Sequence, residues 1–399
     1  MKQLSFFAAA EVDGALYFSA WTRNGLFRMH PKTGDITYIG RFLEEEREAN
    51  LHQFAYVYQN AVYFFPSAGT HIAKLQLKDG AMQTIALPNA DCCGTLNKFS
   101  DLVRHGEDLW LIPESYDALV RFHLPTEQIE RYENWPDGFH REKMGASLFC
   151  AGACVSGQIC MCPHESDWFV TFDLQTKQMR KWEWKYPKMA FCRMAYHNET
   201  LWFFPERDYP DIVGYEPQSG AGYRIPMREK GKEGAYALYG NAAVLRERIV
   251  LLPYESDHWI VLDTRTHQIS AVPLERREGQ KEAGAPLFQA VTYFENGFIA
   301  TSGLHEWEQL VASEQMDAAE IRMVADDAEW LRMWERIVDD GGISYGKSDE
   351  KMQLFYETDM SLELYLQIVQ DFQPKSPETA DGICCGEAIY RATCGRDGA

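Results

Sequence analysis

A unit of about fifty residues is written six times into this chain, and a repeat of that length leaves few folds open. The clearest copy is 108–136: an apolar run ending at Pro113, a short acidic loop, an alternating segment, a turn at Pro125-Thr126-Glu127 and a second alternating segment closed by Pro136. Related copies occupy 158–187, 199–226 and 247–273, with more drift at 14–42 and 60–88. The prolines that end the first run are Pro66, Pro113, Pro163, Pro205 and Pro253, spaced 47, 50, 42 and 48 apart. A second landmark, the turn residue after the third segment, falls at Thr33, Asp79, Thr126, Thr176, Ser219 and Thr266, spaced 46, 47, 50, 43 and 47. Two landmarks that drift together mark one structural unit repeated.

Each copy reads as four short strands. The first is small and apolar (54–58, 100–104, 148–155, 191–196, 237–245, 288–293). The second is the run into proline (VYFFP, LWLIP, ICMCP, LWFFP, IVLLP), and the third and fourth alternate around a Pro/Asp/Thr/Gly turn. Alternation rich in β-branched and aromatic residues, cut by turns every eight to twelve positions, predicts an all-β fold. A period near fifty built of four strands predicts a β-propeller. A weaker seventh copy runs from Pro286 to about Val324, so seven blades are expected, with six as the alternative if that copy is only a cap. The segment FDLQTKQMRKWEW at 172–184, a third strand ending Asp-x-x-Thr before an aromatic fourth strand, resembles the Kelch-like propeller superfamily in the broad sense. The paired glycines of true Kelch repeats are absent, with prolines near those positions. The resemblance covers residues 1–325 and implies architecture rather than chemistry.

After Val324 the pattern changes. Residues 326–340 place Trp330, Leu331, Met333, Trp334 and Ile337 on one helical stripe, and 359–372 reads as a second amphipathic helix. Residues 326–399 therefore form a small α-helical C-terminal appendix to the 1–325 propeller. No apolar stretch is long enough to span a membrane. The early Glu11 and Asp13 interrupt any leader-like run. Ten cysteines without an export signal point to a reducing, cytoplasmic setting. With 39 basic against 59 acidic residues, a formal charge of −20, the surface repels phosphate backbones and nucleic acid is not an expected partner.

Chemistry is expected where the loops between second and third strands gather on one face of a propeller. They bring Trp21 and Arg23 from the first copy, Glu114, Tyr116 and Asp117 from the third, and His164, Glu165, Asp167 and Trp168 from the fourth. Glu206 and Asp208 come from the fifth, and Tyr254, Glu255, Asp257 and His258 from the sixth. The first expectation is a recognition module binding a peptide, protein or glycan on this acidic rim, with the aromatics as stacking faces. The alternative is a propeller enzyme, a lyase or hydrolase on a sugar or modified peptide, with Glu165 or Glu255 paired with His164 or His258 as acid and base. A divalent metal is the one cofactor the His/carboxylate mixture admits. The connectors carry a recurring Arg-Glu (Arg47, Arg141, Arg228 and Arg277), read as an ion-pair fringe. The phosphate-loop pattern at 341–348 lacks the strand before it and the helix after it that phosphate cradling needs, and is read as a turn.

Overall fold

The five apolar runs that end in proline become the second strands of five of seven antiparallel sheets. In the computed structural model the described residues are 6–21, 23–45, 49–93, 97–137, 139, 148–166, 168–183, 189–205, 211–227, 238–274, 288, 290–294, 297–301, 309–312, 318–321 and 327–340. The first sheet is β1–β4 (Ala10–Val12, Ala15–Ser19, Leu26–Met29, Ile36–Gly40) and the second is β5–β8 (His52–Tyr58, Ala61–Pro66, His71–Gln76, Met82–Ala86). The third is β9–β12 (Phe99–His105, Asp108–Pro113, Leu119–His123, Gln128–Tyr132). The fourth is β13 (Phe149–Val155), β14 (Gln158–Pro163), β16 (Trp168–Asp173) and β17 (Met179–Glu183). A two-residue strand between them, β15 (Glu165–Ser166), pairs instead with the fifth sheet, β18–β21 (Met189–His197, Thr200–Pro205, Asp211–Glu216, Ala221–Pro226). The sixth is β22–β25 (Tyr239–Leu245, Arg248–Pro253, His258–Asp263, Gln268–Pro273) and the seventh β26–β29 (Ala290–Phe294, Gly297–Thr301, Gln309–Ala312, Ala318–Ile321). Strand order within each sheet follows the chain, and β1 touches both β5 and β26, so the first and last sheets meet. This is a β-propeller. The first copy's inner strand, β1, is three residues long, too short for alternation to reveal it in sequence.

The second strands are buried on both faces because each lies between two neighbouring blades. That is why they read as unbroken apolar runs rather than alternating ones. Among the described residues six apolar clusters lie at the seams, each drawing on two successive sheets. The cluster between the third and fourth sheets, for example, packs Trp110 and Ile112 against Met161, Val170 and Phe172. Between the seventh and first sheets, Ala9 N donates to Thr292 Oγ1 at 2.9 Å and Thr301 Oγ1 donates to the Phe7 carbonyl at 2.5 Å. A helix, α1 (Asp327–Asp339), buries Met333 and Ile337 and contacts β4. Its Arg336 donates to the Tyr38 carbonyl at 3.2 Å and lies over the Tyr38 ring.

The turns follow backbone chemistry. Asp13-Gly14, Ser156-Gly157 and Asn198-Glu199 have both central residues at positive φ, the two-residue hairpin geometry that matches strand twist. Between third and fourth strands of the first six sheets one residue each is left-handed: Gly34, Gly80, Glu127, Lys177, Gly220 and His267. The three that are not glycine reach back to the preceding blade. Glu127 accepts from Tyr63 Oη and pairs with Lys74. Lys177 sits over Trp110 and Tyr132, with its own blade's Phe172 as a third ring. His267 stacks on Tyr223 with ring centroids 4.7 Å apart. Each contact offsets a backbone strain of roughly 1–2 kcal/mol. Lys177→Ala is therefore expected to destabilise by about 1 kcal/mol through the lost cation–π contact. Lys177→Gly should fare better than Lys177→Ala, because it also relieves the left-handed strain. Urea denaturation midpoints measure both, and equal losses would contradict the latch.

Candidate functional site

The site is built by a proline and a bulge. In five blades the inner strand carries one extra residue opposite the end of the second strand. Phe99 pairs with Pro113 and Asp101 with Ile112, leaving Ser100 over, and the same slip leaves Gln53, Cys150, Cys192 and Gly240. Proline has no N–H to give the ladder, so it belongs at such an irregularity. The second-strand carbonyls beside it take side-chain donors from the bulge: Ser100 Oγ to Ile112 O at 3.5 Å, Cys150 Sγ to Cys162 O at 3.5 Å and Cys192 Sγ to Phe204 O at 3.6 Å.

Just after the proline the chain turns and ties neighbouring blades together. Ser67 N and Glu114 N donate back to the residues before their own inner strands, Leu51 O and Lys98 O, both at 2.8 Å. The post-proline carbonyls then accept from the next blade: Ser67 O from Lys98 N at 3.1 Å, Glu114 O from Leu148 N at 2.7 Å and His164 O from Phe191 N at 2.9 Å. Trp21 O accepts from Asn50 N at 2.7 Å in the same way in the first blade, and Tyr254 N donates to Leu238 O in the sixth. Trp21, Ser67, Glu114, His164 and Tyr254 thus occupy one repeated position, a collar held by backbone hydrogen bonds.

Between the second and third blades the collar is lined with amides and hydroxyls. Asn97 Oδ1 accepts from Asn50 Nδ2 at 2.9 Å and from Ser67 Oγ at 2.8 Å, and the Asn97 carbonyl accepts from Ser115 Oγ at 2.5 Å. With its oxygen engaged, Asn97 turns its NH2 group to Glu114. Burial pushes the Glu114 carboxyl up to about 7, and the hydrogen bond from Asn97 pulls it only partly back. Below the collar, Arg193 of β18 reaches across the fourth blade to Asp101 of β9 at 2.7 Å and to Ser100 O at 3.2 Å. Asp101 is completed by the N–H groups of Leu102 and Gly152, at 2.9 and 3.0 Å. Glycine is required at 152, since a Cβ there would lie 2.5 Å from Ile112.

Of the residues expected from sequence, the structure brings Trp21, Glu114, His164 and Tyr254 into the collar, with Glu255 next to it through a 3.3 Å bond from its N–H to Leu238 O. Others in the same loops are turned elsewhere. Tyr116 is wholly buried with its hydroxyl on Pro88 O, so it offers no stacking face. Asp117 is paired with Arg131 at 2.7 Å. Trp168 and His258 open the third strands β16 and β24, where their ladder partners are Glu183 and Pro273 of the outermost strands. The Asp257 carbonyl accepts from Leu274 N. His164 and His258 therefore occupy different columns of the repeat and do not form equivalent His/carboxylate pairs. Arg23 is half-buried in the first loop. Asp167, Glu206 and Asp208 lie outside the described residues, as do the Glu165 side chain, the Arg-Glu connectors, the 341–348 pattern and the second helix. Among the described residues no three His, Cys, Asp or Glu side chains cluster as metal ligands. Sequence reasoning passed over Asn50, Ser67 and Asn97; aligning the copies on the proline exposes Ser67, one column from Pro66 as Glu114 is from Pro113.

No family model matches the chain, and no curated protein matches it. Solved structures do. A streptogramin B lyase superposes with a TM-score of 0.56 at 12% identity, over 75% of this chain and 91% of that one. Virginiamycin B lyase from Staphylococcus aureus gives 0.55 at 12% identity, over 75% and 94%. PorZ, a surface component of the type-IX secretion system of Porphyromonas gingivalis, gives 0.55 at 10% identity, over 82% of this chain and 39% of that one. At these identities the likeness carries the propeller fold and nothing finer. The Kelch-like resemblance gains no support from it.

The raised Glu114 carboxyl makes a stability prediction with a definite sign. Its folded value lies above the unfolded one of about 4.5, so its contribution is fully present below pH 4.5 and lost as pH rises through about 7. Glu114→Gln should match the wild type at pH 4 and exceed it at pH 8 by roughly 1–3 kcal/mol. Denaturation at the two pH values measures the difference; a variant less stable than wild type at pH 8 would show that the carboxylate is not strained.

Proposed function

We propose that this protein is a recognition module, a propeller of seven blades that binds a peptide, protein or glycan at the mouth of its channel. One observation carries the reading: the backbone belt holds side chains of different chemistry at one repeated position around the mouth. Aromatic faces (Trp21, Tyr254), a carboxyl group (Glu114), an imidazole (His164) and an amide–hydroxyl cluster (Asn50, Ser67, Asn97) suit a polar ligand with apolar faces. Because the backbone is fixed before binding, little ordering entropy opposes association. The compartment is the cytoplasm in this reading, supported by free thiols at Cys150, Cys154, Cys160, Cys162 and Cys192.

A second reading is favoured by Glu114 itself. A carboxyl group titrating near neutrality beside an open mouth is suited to general acid–base work, and His164 holds the same position in the next blade. In that case the protein is a lyase or hydrolase acting on a sugar or modified peptide. The lyase names of two similar propellers belong to those proteins, at 12% identity.

Glycan and peptide arrays probed with labelled protein separate these outcomes. Wild type should retain a defined set of glycans or peptides unchanged. His164→Ala with Tyr254→Ala should lose them, while Glu107→Ala, in the turn that joins β9 to β10 at the other end of the blade, should keep them. Conversion of the retained compounds, abolished by Glu114→Gln, supports the enzyme instead. Capture that survives the double substitution would place binding away from the collar.

A further inference from the structure

Glu114 differs from the other buried or paired carboxylates of the described residues. Asp101 is matched by Arg193, Asp108 by Arg121 and His123, Asp117 by Arg131, and Glu127 by Lys74. Others take backbone donors. Glu45, almost wholly buried, accepts from Thr70 N, Thr70 Oγ1 and His71 N, and Asp173 and Asp263 each accept from two N–H groups of their turns. Among the described residues Glu114 has neither a base nor the N–H groups of a turn on its carboxylate. Its partner among the described residues is the Asn97 side chain, whose orientation is fixed by the two donors on its oxygen. Lys98, next to it along the chain, turns its Nζ away to the Ala68 carbonyl at 3.0 Å and is fully buried. Arg193 is committed to Asp101 and Ser100 O.

We infer that the channel mouth takes a ligand bearing a protonated amine, whose ammonium group completes the Glu114 carboxylate while the collar aromatics cover the adjoining apolar part. The inference rests on the collar being the binding site, and it names the class of group the collar selects. A half-buried carboxylate with one fixed amide donor has lone pairs left for a cation. The match is charge-assisted and therefore stronger than a neutral hydrogen bond. The formal charge of −20 draws cations toward the whole surface, so the local match has to be separated from that general attraction. The amine favours the ionised carboxyl, so binding should weaken as pH falls through about 7, where Glu114 takes up its proton.

Phenethylammonium, with 2-phenylethanol as its neutral match, is the probe for calorimetric titration at constant ionic strength. Saturable binding of the amine to wild type at pH 8 is expected, at least tenfold weaker at pH 5.5 and at least tenfold weaker in Glu114→Gln at pH 8. Glu107→Ala should bind as wild type does. Because Glu114→Gln is expected to be more stable than wild type at pH 8, a loss of binding there is not a loss of folding. Equal amine binding by Glu114→Gln would reduce the effect to general charge and overturn the inference. Equal binding of the alcohol, or no binding of the amine, would overturn it too. In either case array capture that depends on His164 and Tyr254 would leave the collar standing as a site for uncharged ligands.

Discussion

The architecture depends on what happens where a second strand runs out at proline. Proline removes a donor from the ladder, and an antiparallel pair that loses a donor must either end or bulge. Here it bulges, on the inner strand, in five blades at the same place. In three of them the extra residue, Ser100, Cys150 or Cys192, supplies a hydroxyl or thiol to the second-strand carbonyl opposite, and the residue after the proline is released toward the neighbouring blade. There its N–H and C=O serve two blades at once. A local defect in pairing thereby becomes the tie between neighbours.

Two sets of ties close the seams. The collar works at the inner end through backbone groups and tolerates any side chain, so its residues are free to differ: Trp21, Ser67, Glu114, His164 and Tyr254. The latches work at the outer turns through side chains, where Glu127, Lys177 and His267 accept left-handed geometry in return for a seat on the preceding blade. Variation is therefore cheap at the mouth and costly at the rim. Such a division suits a scaffold on which binding residues change while the frame does not.

Much of this was legible in the chain. The proline and turn landmarks gave the repeat, and the strands follow the expected order even in the weak seventh copy. The acidic loops read from sequence as a single rim. In the third blade the structure divides the loop in two: Glu114 joins the collar through its backbone, and Tyr116 and Asp117 are spent on packing and on pairing with Arg131. Composition does not show that division, because Glu114 and Asp117 look alike as letters; it comes from the turn the backbone makes after Pro113. Asn97 was invisible for a related reason. Its value lies in the two donors that orient its amide, and those come from Asn50 and Ser67, 47 and 30 positions away. The prolines were seen as strand ends, but their pairing with a bulge needs both strands at once and cannot be read from either.

Amide hydrogen exchange of the belt tests the central claim most directly. If the post-proline turns tie the blades, the N–H groups of Lys98, Leu148, Phe191 and Phe288, each bonded to the carbonyl of a preceding blade, will be protected to the same degree as the second-strand amides beside them. Exchange of these four at the rate of the exposed hairpin turns at Gly14, Gly106 and Gly157 would mean that no belt exists, and with it no fixed collar.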